Sequence, residues 1–138
     1  LKKERYFRNM KMAVDYIENN IHKTITVDQA AKAACISKDH FWRLFKDLFN
    51  ETVGCYIRKR KLTLISAALV SSKRDIGTLA AEYGFESREA FSRAFKRQFG
   101  TTPAVYRRNS RNVSGLQRKK LTAADIRGIL MSEKKSAG

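Results

Sequence analysis

Two short stretches of this 138-residue sequence carry side chains with chemistry to offer. Lys38-Asp39-His40-Phe41-Trp42-Arg43 and Arg88-Glu89-Ala90-Phe91-Ser92-Arg93 each set a carboxylate four residues ahead of an arginine. On a helix, positions i and i+4 share a face, so each stretch presents an acid and a guanidinium side by side. Such a face suits the DNA major groove. An arginine bonds O6 and N7 of guanine in a bidentate way, and a carboxylate accepts from N4 of cytosine. Arg43 and Arg93 are therefore read as base or phosphate contacts. The plainer alternative for each is a surface salt bridge to Asp39 or Glu89. Trp42 falls in phase with Asp39 and Arg43, away from Phe41 and Phe45, and an outward indole suits a DNA or partner contact. Lys46 and Lys96 lie one turn further along, in reach of phosphates rather than bases.

The same inventory argues against catalysis. Asp39 and Glu89 are related by the repeat described below and not by proximity, so a carboxylate pair of the glycosidase kind has no support. His22 and His40 have no Cys, Asp or His at metal-ligand spacing, and Cys35 and Cys55 form no CxxC motif. There is no glycine-rich phosphate loop, no Ser/His/Asp set and no HExxH motif. The expectation is a non-enzyme with no catalytic residue, metal or cofactor, and with reduced cysteines.

The elements that must position these faces follow from periodicity. With one proline and little β-type alternation, the chain reads as all-α. Phe7, Met10, Val14 and Ile17 recur at helical spacing over residues 4–20. Thr26-Val-Asp-Gln29 is a capping box ahead of a short alanine-rich helix. Ser37 caps the helix that carries the first face, and Phe41, Leu44, Phe45, Leu48 and Phe49 form its core stripe. A long helix runs from Thr52 to Val70, with Tyr56, Leu62, Ile65 and Leu69 toward one side. Its 19 residues span about 28 Å. The run Arg58-Lys59-Arg60-Lys61 near its start faces phosphates or merely solvent.

The sequence then repeats. Shifted by 50 residues without a gap, positions 30–58 match 80–108 at eleven of 29 places, among them Phe41/Phe91, Arg43/Arg93, Phe45/Phe95, Thr52/Thr102 and Tyr56/Tyr106. Each copy is a short helix, a tight turn and a serine-capped amphipathic helix, the helix-turn-helix plan. Gly84 ends the second short helix, where a left-handed residue costs little. The matching residue in the first copy is Ala34, which predicts strain or another turn geometry there. The second outward helix has Phe91, Ala94, Phe95 and Phe99 as its core stripe.

Charge sets the class of partner. Against 29 Lys and Arg there are 13 Asp and Glu, a formal +16 on a chain whose 43% hydrophobic content supports a folded core. A folded body this basic points to a polyanion, nucleic acid first. An RNA-binding module would need exposed aromatics on a sheet or a KH-type loop, which the pattern lacks. A membrane-surface protein would need an uncovered apolar helix face, and no apolar run is long enough to span a bilayer.

The stretch from Ile76 to Arg108, and above all the ending Phe99-Gly-x-Thr-Pro-x-x-Tyr-Arg107, closely resembles the signature of AraC/XylS-type bacterial transcription regulators. The likeness covers about residues 5–109 and is strongest to the MarA/SoxS/Rob subgroup. It implies two homeodomain-like helix-turn-helix subdomains joined by a long helix. It also implies duplex DNA binding as a monomer, with recognition helices in adjacent major grooves, and recruitment of RNA polymerase by a cytoplasmic, nucleoid-associated activator. Carried over by position, the base-reading candidates are Asp39, Trp42 and Arg43 in the first reader and Arg88, Glu89, Ser92 and Arg93 in the second. The phosphate-contact candidates are Lys38, Lys46, Arg58, Lys96 and Arg97. Arg43 and Arg93 match the subgroup. Asp39 stands where it usually has Trp, Trp42 where it has Gln, and Arg88-Glu89 where it has Gln-Gln, so the target sequence does not carry over.

The expected organisation is a first subdomain over residues 1–51, a linker helix over 52–71, a second subdomain over 72–109 and a basic extension over 110–138. That extension carries seven Lys and Arg against Asp125 and Glu133, with Thr122–Asp125 placed to cap a short helix. It reads as a flexible tail or as a link to a further domain. In the latter case the chain is the DNA-binding module of a larger, ligand-sensing regulator.

Overall fold

A computed structural model describes residues 2–109, and the tail and its expected helix lie outside them. The described residues hold helices and no strand. They are α1 (Lys2–Asn19), α2 (Val27–Ala33), α3 (Lys38–Phe49), α4 (Val53–Ser71), α5 (Ile76–Glu82), α6 (Arg88–Phe99) and α7 (Pro103–Asn109). The all-α expectation holds, and α1 begins two residues before the expected Glu4.

Helices α2 to α7 each start where a side chain takes up backbone N–H groups that the first turn leaves free. Thr26 Oγ1 accepts from the Gln29 amide at 3.1 Å while Gln29 Oε1 accepts from the Thr26 amide at 3.0 Å, closing the capping box of α2. Asp75 Oδ2 does the corresponding work for α5, accepting from the Thr78 amide at 3.0 Å. Ser37 and Ser87 accept from the amides of His40 and Ala90, at 3.2 and 3.0 Å. Thr52 and Thr102 accept from those of Cys55 and Val105, at 3.1 and 3.3 Å. Helices α3 and α6 both stop at a left-handed residue, Asn50 (φ 55°) and Gly100 (φ 79°).

The repeat is real, but it has a one-residue step that the ungapped comparison hides. The Ile36 amide bonds to the Ala31 carbonyl and the Cys35 amide to that of Lys32. In the second copy Phe85 bonds to Ala80 and Gly84 to Ala81. Positions through the first helix and its turn thus correspond at a spacing of 49, Thr26 with Asp75 and Ala31 with Ala80. From Ser37 and Ser87 onward the spacing is 50, and Glu86 is the additional turn residue. A shift of 50 sets Ala30-Ala31 against Ala80-Ala81, whereas the shift of 49 sets Ala31 against Ala80 and Ala30 against Leu79, so chance alanine matches conceal the step in the ungapped comparison. The strain expected at Ala34 is therefore misplaced. Ala34 is ordinary right-handed backbone at φ −82°, and Cys35 takes the left-handed place of Gly84, at φ 60° against 83°.

The described residues form two compact units, one of residues 2–19 and 25–56, the other of 20–24 and 57–109. In the first, α1 packs on α2 and α2 on α3. Met10, Ala13, Val14, Ile17, Ala31, Phe41, Phe45 and Tyr56 are all buried. The Phe45 ring lies 5.9 Å from Phe41, 4.5 Å from Phe49 and 5.5 Å from Tyr56. In the second, Leu62, Ile65 and Leu69 join Leu79, Ala80, Tyr83, Phe91 and Phe95 in one core. Phe95 repeats the cluster, 5.7 Å from Phe91, 4.5 Å from Phe99 and 5.3 Å from Tyr106. Phe49 and Phe99, expected in the core, are half-buried at its margin.

Candidate nucleic-acid interface

The caps and aromatic clusters fix the rotation of α3 and α6, and so decide which side chains face out. With Phe41, Leu44 and Phe45 turned inward, Lys38, Asp39, Trp42, Arg43 and Lys46 are exposed on α3. With Phe91 and Phe95 inward, Arg88, Glu89, Arg93, Lys96 and Arg97 are exposed on α6, and Ser92 is half-buried. The candidates on α3 thus share one helix face and those on α6 another, while Arg58 lies apart from both on α4.

The surface salt bridges that would have explained the arginines do not form. Arg43 Nε donates to the backbone carbonyl of Asp39 at 3.4 Å, not to its carboxylate. Among the described residues neither Arg43–Asp39 nor Arg93–Glu89 is an ion pair, whereas Lys32–Asp28 at 3.4 Å and Arg74–Glu82 are. The acid and base of each outer face stay available to a ligand. Trp42 is 38% exposed, and Lys46 Nζ stands over its ring, 5.2 Å from the centroid. Lys46 therefore has an aromatic partner as well as its expected place near phosphates. Asp75, the cap of α5, has its carboxyl held below the usual range first by the hydrogen bonds from Thr78, with a smaller contribution from the charge of Arg88.

The basic run near the start of α4 divides by phase. Arg58 is exposed, Lys59 and Arg60 are half-buried, and Lys61 is only 7% exposed. Lys61 cannot meet a phosphate or simply face solvent, which corrects the reading of the run as one outward stripe. Its Nζ donates to the carbonyls of Lys23 at 2.7 Å and Tyr83 at 2.9 Å, and burial pulls its pKa below the ordinary lysine value. A sequence signal existed: Lys61 sits midway between Ile57 and Ile65 at i±4, on the buried side. Arg107, at the end of the signature motif, donates from Nε to the Leu69 carbonyl at 2.9 Å and from Nη2 to that of Arg74. It thereby closes the C-terminal end of α4.

No group of three or more His, Cys, Asp or Glu among the described residues is placed to hold a metal ion, and no helix there is long and apolar enough to cross a membrane.

A helix-turn-helix domain model matches residues 30–109. The transcriptional regulator Rob of Salmonella typhimurium is 41% identical over 95 residues, which are 69% of this chain and 33% of Rob. The chain thus spans about a third of that relative's length. The regulatory protein SoxS of Escherichia coli is 36% identical over 94 residues, 68% of this chain and 88% of SoxS. Among solved structures, an AraC-type transcriptional regulator from Chromobacterium violaceum shares the fold. It has a TM-score of 0.71 and 24% identity, over 77% of this chain and 95% of that one.

Proposed function

Because the chain belongs to the AraC/XylS family of helix-turn-helix transcription regulators, we propose that it binds duplex DNA sequence-specifically and activates transcription. One observation carries the reading. Two units with matching caps and matching aromatic clusters each hold out a helix face on which an acid and an arginine that form no ion pair with each other stand in equivalent places. A surface selected only for solubility has no reason to keep that arrangement twice.

In this reading α3 and α6 are the recognition helices of two subdomains, residues 1–51 and 72–109, joined by the linker helix 52–71. Asp39, Trp42, Arg43, Arg88, Glu89, Ser92 and Arg93 meet base edges, and Lys38, Lys46, Arg58, Lys96 and Arg97 meet phosphates. A single chain then occupies two adjacent grooves, a task that other helix-turn-helix proteins give to a dimer. The protein acts in the bacterial cytoplasm, on the nucleoid, without enzymatic activity of its own, and recruits RNA polymerase as its partner.

The match to a third of Rob favours a second reading, in which these residues are the DNA-binding module of a larger, ligand-sensing regulator. The DNA contacts are the same in both. Selection of bound sequences from a random duplex pool tests the shared claim: a defined asymmetric site supports it, and recovery of unselected sequence refutes it.

A further inference from the structure

The two outer faces differ in one respect that the repeat makes conspicuous. Helix α6 carries four basic side chains against one acidic, α3 three against two. The first reader therefore has less charge to offer a phosphate backbone, and in its middle it holds out an indole. At the equivalent place α6 has Ser92, short and half-buried. Met12, Trp42 and Val70 are the exposed large apolar side chains among the described residues, and of these only Trp42 lies on a recognition helix.

An indole on this face has few partners in a duplex. The bases are stacked, so no base plane is open to the ring. The one apolar feature of the major-groove edges is the 5-methyl group of thymine. Lys46, one turn on, places its ammonium 5.2 Å from the ring centroid, a distance at which a cation is attracted to an aromatic face and restrains it. We propose that Trp42 reads the 5-methyl group of a thymine in the half of the site bound by the first unit, with Lys46 as the positioning residue that holds the indole. This rests on the duplex-DNA reading above. It makes the site chemically asymmetric, with methyl sensitivity confined to the half read by α3.

The test begins with sequences selected from a random duplex pool by the wild-type chain and by Trp42→Ala. Each thymine of the selected site is then replaced singly by uracil, which keeps O4 and loses only the methyl. One uracil should weaken wild-type binding about fourfold, the worth of one buried methyl group. Trp42→Ala should bind thymine and uracil equally there, Trp42→Phe should keep part of the difference, and Lys46→Met should shrink it. If no single uracil weakens wild-type binding, or if Trp42→Ala retains the difference, the proposal is overturned while sequence-specific binding stands. A guanine preference lost in Trp42→Ala, with no methyl effect, would assign the indole N–H instead and also overturn it. If the wild-type chain selects no sequence at all, the duplex-DNA reading has failed first.

Discussion

At the scale of single residues, the two arginines of the outer faces and the cations Lys61 and Arg107, which tie down carbonyls far away in sequence, do opposite work. Arg93 is exposed and forms no ion pair with Glu89, so its guanidinium is available to a guanine edge. Arg93→Ala should cost roughly 1–3 kcal/mol on the selected site and relax preference at one base pair, measured by titration against matched and substituted duplexes. An equal loss on random DNA would make it a phosphate contact. Lys61, by contrast, spends its charge on two carbonyls inside the second unit. Lys61→Met should lower unfolding stability by roughly 1–3 kcal/mol, because it leaves buried acceptors unsatisfied, and should leave the preferred sequence unchanged. Urea denaturation beside a repeated selection separates the two effects. Residue type alone could not sort these cations. A run of four reads as a solvated stripe until the buried phase of Ile57 and Ile65 is laid over it, and Arg107 gives no local sign that it closes α4 from 38 residues away.

At the scale of elements, the caps and turns were legible and their register was not. Thr26-x-x-Gln29, Ser37, Ser87 and the phenylalanine stripes mark helix starts and inward faces through local chemistry, which a sequence displays directly. The step from 49 to 50 within the repeat depends on which carbonyl each turn amide reaches, and two alanine pairs conceal it. That step has a consequence of definite sign. Cys35 holds a left-handed conformation that glycine adopts at no steric cost, so Cys35→Gly should stabilise the protein by up to about 1 kcal/mol. Gly84→Ala should destabilise by at least as much, since a Cβ there would sit 3.3 Å from Lys61 Nζ at φ +83°. Denaturant melts of both variants check the assignment, and stabilisation by Ala34→Gly instead would restore the ungapped register. The cap of α5 adds a pH dependence. Asp75 has its pKa lowered in the folded protein from an ordinary 3.8, so the unfolded chain binds the proton more readily. Its stabilising contribution is present above pH 3.8 and is lost as pH falls through the lower folded value. Asp75→Asn, still a good cap, should melt with a shallower acid dependence than the wild type over that window.

At the scale of the whole molecule, the +16 charge that first suggested a polyanion divides into parts with different tasks. The outer faces of α3 and α6 mix it with Asp39 and Glu89, a mixture suited to reading bases as well as holding phosphates. If about 6–10 phosphates are neutralised, affinity should fall by about 10³–10⁵ between 50 and 200 mM salt, and a flat response in a salt titration would rule out duplex DNA as the main ligand. Whether one chain carries both readers is decided by hydroxyl-radical footprinting of the selected duplex at known protein stoichiometry. Two protected patches about one helical turn apart on one face of the DNA, complete at one chain per duplex, are expected. A symmetric footprint that requires two chains would contradict both readers lying on one chain.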